Sequence, residues 1–442
     1  LVATTGLFAA TIRQHNGIFY VICTHDWGEG PNLIMRNFYV TTKDIWSGEW
    51  SDPIWFDFSG IDPSLFFDDD GKVYIQGSWR PSNLLDLKCH ISQFEVDIET
   101  GKPLSETKKI WDGFAGKADA EGPHIYKKDG WYYLLTAEAA TFEHHMVTMA
   151  RSRDIWGPYE SYENNPVLTA YGVGGVIQNT GHGDLFQDGD GKWWITALGI
   201  RNLDGCYPMG RETFLAPVEW PEGGWPKIEF LKSDFERARI SNTGTKEIPI
   251  PDRSKRYEYV YIRTPNLDDY TFSSDNRILK LSPRTSTLSS PTGTTTFVGR
   301  RQRLQDCIAS VTLHPLQKGS TVSAGLTVWK ESIRHAEIFY DFSTSSIWFS
   351  KTNKILGDGP ETKSEPLELT DTINFQITAT PKAYIWSYRV GENGTWTTLG
   401  EMGAIEFSGY DFTGTIFGVF ASSQSSEAGA EVGVTFEDFQ IT

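Results

Sequence analysis

Four copies of one short pattern constrain the fold of this chain more than any other feature. Each copy is a turn ending in glycine, followed by an aromatic-rich apolar strand. The copies are His15-Asn16-Gly17-Ile18-Phe19-Tyr20-Val21, Asp70-Gly71-Lys72-Val73-Tyr74-Ile75, Asp129-Gly130-Trp131-Tyr132-Tyr133-Leu134 and Asp190-Gly191-Lys192-Trp193-Trp194-Ile195. Asn-Gly and Asp-Gly are hairpin signals, because a type I′ turn needs positive φ at both central residues. The turn glycines lie 54, 59 and 61 residues apart. That spacing suits a blade of four antiparallel strands, and radial repetition of such blades makes a β-propeller.

A second apolar strand precedes each turn: Ala10-Thr11-Ile12, Pro63-Ser64-Leu65-Phe66-Phe67, Pro123-His124-Ile125-Tyr126 and Asp184-Leu185-Phe186. The innermost strand of a blade runs along the propeller axis, so equivalent positions at its start ring that axis. Counting nine residues back from each turn glycine reaches Phe8, Asp62, Glu121 and His182. The common count predicts one depth and one site, lined by an aromatic ring, two carboxylates and a histidine. Taken singly, these are ordinary residues: a turn aspartate, a loop glutamate, a satisfied core histidine. Their shared register favours a common site.

A chain of 442 residues, 22% charged and 39% hydrophobic, is globular and long enough for two domains. The net charge of −17 argues against nucleic acid and anionic membrane as partners, since both select basic surface. No run of 18 apolar residues offers a membrane-spanning helix. The aromatic content of 14% fits either large β-domain cores or flat platforms for sugar rings. Cys23, Cys89, Cys206 and Cys307 have no metal-binding or redox spacing and are expected as free core thiols. The opening LVATTGLFAA has no basic n-region and no initiator Met, so the chain is expected to begin inside a longer or processed sequence. The sequon Asn393-Gly394-Thr395 points to an extracellular location.

Two carboxylates facing across a pocket are the parts needed for glycosidic bond cleavage, one as acid on the leaving oxygen and one activating water or attacking the sugar. Four stretches sharpen this reading: Gly60-Ile61-Asp62-Pro63-Ser64-Leu65-Phe66-Phe67-Asp68-Asp69-Asp70-Gly71, Glu121-Gly122-Pro123-His124-Ile125-Tyr126-Lys127, Gly181-His182-Gly183-Asp184-Leu185 and Gly210-Arg211-Glu212-Thr213-Phe214-Leu215-Ala216-Pro217-Val218-Glu219-Trp220. In these the first 230 residues resemble glycoside hydrolase family 43, five-bladed propellers with β-xylosidase and α-L-arabinofuranosidase activity. The resemblance implies that Glu121 is the general acid and that Asp62 tunes its pKa and orients it. It implies that Arg211 assists the acid and contacts the sugar, and that Phe8 and Gln178 line the sugar subsite with His182. His182 is implied to lie on the axis, where this family holds a calcium ion or a water. No cofactor is otherwise required. Phe8 stands where the family usually has Trp.

The family's inverting mechanism needs a third carboxylate as general base. By the resemblance that Asp opens blade one, in a segment like Pro-Asp-Pro-Ser, and no such segment precedes Phe8. The first copy of the repeat here matches the family's second blade. About four blades are therefore expected, with blade one missing, and loss of the base is expected to impair turnover. Asp184 falls two residues inside the ring register and is not expected to substitute. An unclosed ring would also expose strand edges that pair with other chains, giving an oligomer through the open edge.

The repeat stops near Ile240, and the polar, Pro-containing stretch 241–255 reads as a linker. From residue 256 to 442 short strands dominate, among them Tyr257–Ile262, Ile308–Leu313, Ala336–Tyr340, Ile373–Ile377 and Thr415–Phe420, which indicates a β-sandwich. Phe297-Val298-Gly299-Arg300-Arg301-Gln302 and Ser323-Ala324-Gly325-Leu326-Thr327-Val328 resemble the concanavalin A-like domain found after the propeller in one branch of the family. The expected fold class is thus all-β: a propeller over 1–240, then the sandwich. The expected function is exo-acting hydrolysis of xylo-oligosaccharides or arabinofuranosyl side chains, with plant cell-wall oligosaccharides as partners. The alternative is a non-catalytic protein that binds pentose or xylan.

Overall fold

A computed structural model describes residues 6–27, 34–80, 89–116, 119–233, 258–317, 320–357, 360–409, 411–425 and 433–442. The expected linker at 241–255 and the opening residues 1–5 lie outside the described residues. The structure is nearly all strand; helical residues, among those described, form three short 3₁₀ turns. Two compact units are present: Leu1–Ile200 with Glu212–Thr245, and Arg201–Arg211 with Lys246–Thr442.

The first unit holds four antiparallel sheets, each a meander. The first comprises β1 (Gly6–His15), β2 (Ile18–Trp27), β3 (Ile34–Thr42) and β4 (Ile54–Phe56). The second comprises β5 (Gly60–Phe67), β6 (Val73–Trp79), β7 (His90–Glu95) and β8 (Lys108–Trp111). The third comprises β9 (Glu121–Lys128), β10 (Trp131–Glu138), β11 (Met146–Ser152) and β12 (Glu160–Ser161), with β13 (Leu168–Thr169) also paired to β11. The fourth comprises β14 (Ile177–Gln187), β15 (Trp193–Arg201), β16 (Glu212–Glu219) and β17 (Lys227–Ile228). Each sheet is one propeller blade.

Apolar cores lie between successive blades. Tyr20, Ile22 and Tyr39 pack with Leu65, Ile75 and Phe94. Phe66, Tyr74 and Ile91 pack with Ile125, Leu134 and Ala150. Tyr126, Tyr133 and Val147 pack with Leu185, Ile195 and Phe214. Strand β5, flanked on both sides, is buried along almost its whole length, whereas β1 leaves Leu7 69% and Ile12 47% exposed. Among the described residues no such core joins the first blade to the fourth. Many of the aromatics serve these cores: Trp220 packs edge-on to Tyr133 at 4.9 Å and tilted against Trp193 at 4.7 Å.

The second unit is a sandwich of two seven-stranded antiparallel sheets. One carries Val322–Glu331, Arg334–Asp341 and Ser346–Asn353, the other Cys307–Leu313, Ile373–Ala379 and Ala383–Val390. Strand Ile373–Ala379 alternates buried and half-buried residues, the period-two signature of a sheet with one face in the core. Its inward residues Ile373, Phe375 and Ile377 meet Val311, Trp386 and Phe436 in the shared core. A buried charge cluster is present, in which Asp411 forms ion pairs with Lys330, at 2.7 Å, and with Arg334. All four cysteines are buried free thiols, as the sequence indicated.

Candidate active site

The four inner hairpins are not identical. Asn16-Gly17 and Asp129-Gly130 have positive φ at both residues, 51° and 77° in the first and 51° and 72° in the second, as a two-residue type I′ turn requires. In the other two hairpins only the glycines, Gly71 and Gly191, are positive. There Asp68 N–H donates to the Lys72 carbonyl at 2.9 Å, and Asp188 N–H to that of Lys192 at 2.9 Å. These loops hold three residues and close on a left-handed glycine. Counting from glycine therefore mixes two rows. Counted from the residue that closes each ladder, Ala9, Asp62, Gly122 and His182 are equivalent, and Phe8 and Glu121 lie one residue earlier. The single-register expectation is corrected accordingly.

The equivalent row is a bulge row. Ladder register slips by one residue between Phe8 and Thr11, between Ile61 and Ser64, and between Glu121 and His124. Ala9, Asp62, Gly122 and His182 have φ of 42°, 53°, 55° and 46°. A bulge bends the strand and re-aims its side chains, and a left-handed non-glycine residue costs on the order of 1–2 kcal/mol. Repetition of left-handed backbone at one depth in four strands, strained in the three that lack a glycine there, marks where the propeller aims its side chains.

Asp62, Glu121 and His182 converge there, with one ligand atom from each lying within 4.8 Å of the others. The bulge is what lets Glu121 and Asp62, from adjacent rows, reach the same point. Asp62 is 5% exposed, and its Oδ2 accepts the Gly122 N–H at 3.1 Å. Gly122 is required where it stands: a Cβ there would lie 2.7 Å from His182 Nε2. Arg80, which follows β6, donates from Nη2 to Glu121 Oε2 at 2.8 Å. No sequence pattern singled it out, because its place depends on the contact between the second and third blades.

A second polar group lies deeper on the inner strands. Arg13 on β1 grips Asp184 on β14 with both Nη atoms, at 2.7 and 3.0 Å. Thr11 Oγ1 and Tyr126 O–H also donate to Asp184, at 3.1 and 2.6 Å. Arg13 Nη2 donates to His124 Nδ1 at 3.0 Å, so that nitrogen is an acceptor and the ring is neutral. Burial pushes the His124 pKa down to about 3. Burial would raise the Asp184 carboxyl, but its charged and hydrogen-bonded neighbours hold it well below the usual carboxylate range. Asp184 is thus committed to joining blades one and four and is not placed to activate water.

The remaining predicted residues are placed as follows. Phe8 is half-buried on β1, and its carbonyl accepts from Cys23 Sγ at 3.2 Å. Gln178 on β14 turns back to the Gly175 carbonyl at 2.8 Å. Arg211 clusters with the second unit, its N–H donating to the Phe412 carbonyl at 3.1 Å and its guanidinium lying 4.1 Å from the Phe412 ring centroid. Calcium fits the His182 group poorly. A hard cation takes six to eight oxygens, whereas this set offers one imidazole and two carboxylates, one of them already held by Arg80.

Comparison with known proteins agrees with this geometry. Residues 2–226 match the model of glycosyl hydrolases family 43, and residues 253–442 that of the beta xylosidase C-terminal concanavalin A-like domain. A xylosidase/arabinosidase of Butyrivibrio fibrisolvens is 36% identical over 75% of this chain and 66% of its own length. A non-reducing end alpha-L-arabinofuranosidase of Bacteroides ovatus is 31% identical over 95% of this chain and 79% of its own. The solved xylan beta-1,4-xylosidase of Bacillus halodurans superposes with a TM-score of 0.81 at 26% identity, covering 99% of this chain and 87% of that one.

Proposed function

Since the chain belongs to glycosyl hydrolase family 43, we propose that it is an exo-acting hydrolase of xylo-oligosaccharides or of arabinofuranosyl side chains, with Glu121 as the general acid. The observation that carries this reading is the convergence of Asp62, Glu121 and His182 within 4.8 Å. An inverting acid and base stand about 6.5–9.5 Å apart to admit water, so Asp62 and Glu121 are too close to be that couple. A retaining pair would need Asp62 as nucleophile, but Asp62 is buried and already accepts a backbone N–H. The pairing supports Asp62 as the group that tunes and orients Glu121, with an inverting reaction drawing its base from elsewhere. The substrate class, oligosaccharides of plant cell-wall pentosans, follows what is said of the similar xylosidases and arabinosidases, and it favours an extracellular location.

The test is hydrolysis of aryl xyloside, aryl arabinofuranoside and xylobiose by this chain and by Glu121→Gln. Loss of about 10²–10⁴-fold on xylobiose is expected; equal rates would sink the assignment. A second reading is favoured by Asp184, which is bound to Arg13 and supplies no base. The pocket then binds a pentose without turning it over, and calorimetric binding of xylo-oligosaccharide with no released sugar is its signature. The exposed Leu7 and Ile12 on β1 also support self-association through this side of the propeller, which light scattering reads directly.

A further inference from the structure

We propose that Arg80 is a positioning residue that fixes which oxygen of Glu121 delivers the proton; this rests on reading Glu121 as the acid. Arg80 is itself fixed. Its N–H donates to the Ser59 carbonyl at 2.8 Å, and its side chain is 7% exposed. From there Nη2 donates to Glu121 Oε2 at 2.8 Å. Asp62 is satisfied separately by the Gly122 N–H.

Two carboxylates this close repel, and their pairing alone would leave one proton shared between them. The two donors break that symmetry. With Oε2 engaged by a guanidinium that has no acceptor to offer, a proton on Glu121 resides on Oε1. In the reaction that proton passes to the glycosidic oxygen as the bond from that oxygen to the anomeric carbon breaks. The bond pair stays with the oxygen, the sugar or alcohol leaves neutral, and Glu121 is left as a carboxylate held by Arg80. Arg80 therefore stabilises the product of proton transfer and orients its donor.

The consequence falls on substrates with poor leaving groups. Replacing Arg80 by Met removes a cation from Glu121, and an adjacent opposite charge moves a carboxyl by about 1–3 pH units. The alkaline limb of the kcat/KM profile is expected to move up by that amount in Arg80→Met. Hydrolysis of xylobiose is expected to fall at least about tenfold further than that of nitrophenyl xyloside, whose departure needs little protonation. Arg80→Lys is expected to restore part of both. Independently of turnover, the carboxyl carbon of Glu121, assigned by difference with Glu121→Gln in 13C-glutamate protein, is expected to titrate at higher pH in Arg80→Met. If Arg80→Met does not fold, Arg80→Gln makes the same comparison. A Glu121 midpoint moved by less than about half a unit overturns the proposal, as does an equal loss on both substrates. If the unmodified chain turns over neither substrate, the hydrolase reading fails, while the carbon titration still decides the role of Arg80.

Discussion

Arg13 and Asp184 are 171 residues apart in the chain, yet they form a two-point ion pair that ties the first propeller blade to the fourth. The other three blade junctions are apolar cores. This one is polar, part-buried and backed by Thr11 and Tyr126. It links the two inner strands through side chains alone, and among the described residues no apolar core backs it.

Breaking that pair from one side should therefore be costly. Asp184→Asn leaves the part-buried Arg13 without its counter-charge; removing one partner of a fully buried pair costs about 3–5 kcal/mol, and at side-chain exposures of 20% and 24% a smaller loss of about 2 kcal/mol is expected. Urea denaturation of the variant should show a midpoint lowered by that free energy. A loss under about 1 kcal/mol, the range of exposed pairs, would mean the junction is held by something else.

His124 gives the junction a pH dependence. In the folded protein its pKa is about 3, against 6.5 for the free side chain, so between those values the unfolded chain binds more protons. Stability should thus fall as pH drops from about 6.5 toward 3, by up to a few kcal/mol. His124→Asn should flatten this part of the stability curve. An unchanged slope would show that His124 is not buried neutral.

Much of this could be read from the chain before its structure was known, and what could not has a physical reason. The hairpins at Gly17, Gly71, Gly130 and Gly191 were legible because Asn-Gly and Asp-Gly announce left-handed backbone. Their loop lengths were not. Asp70-Gly71 reads like Asp129-Gly130, but Lys72 closes the first on Asp68 across three residues. The count from glycine still reached Asp62, Glu121 and His182, because the bulge brings two adjacent rows to one point. It also reached Phe8, which shares Glu121's row. Arg80 and Arg13 left no trace in the sequence. Each acts on a partner in another blade, and single-chain patterns do not encode which strands become neighbours.

Gly122 is a further test of the bulge row. Gly122→Ala adds a Cβ at φ 55° and within 2.7 Å of His182 Nε2. The expected stability loss is modest, about 1–2 kcal/mol for the left-handed backbone. The expected activity loss is larger, about 10²-fold, because a displaced His182 and Glu121 misalign the reacting groups. Wild-type kcat/KM in this variant would remove His182 from the site.

In the sandwich, Glu337 is pushed up to about 8 by burial, and its Oε2 has no hydrogen-bond donor. Its neighbour His335 faces it at 3.8 Å but is pushed down to about 4 by burial, so it is neutral and offers no counter-charge. A carboxyl raised in the folded state loses stability as pH rises from its free value toward 8. Glu337→Gln should therefore melt higher than the parent at pH 8 and close to it at pH 5. A variant that melts lower at both would assign Glu337 a partner.

The four inner hairpins differ in loop length, yet the left-handed residue of each inner strand lies six residues from the closing pair. Depth in the site is thus measured from the ladder and not from the turn. The turn end of each blade is in effect decoupled from the chemistry at the other end. Residues 16–17, 69–71, 129–130 and 189–191 are accordingly the places where a tag, a fluorophore or a fused peptide can enter this propeller while leaving the alignment of Asp62, Glu121 and His182 untouched.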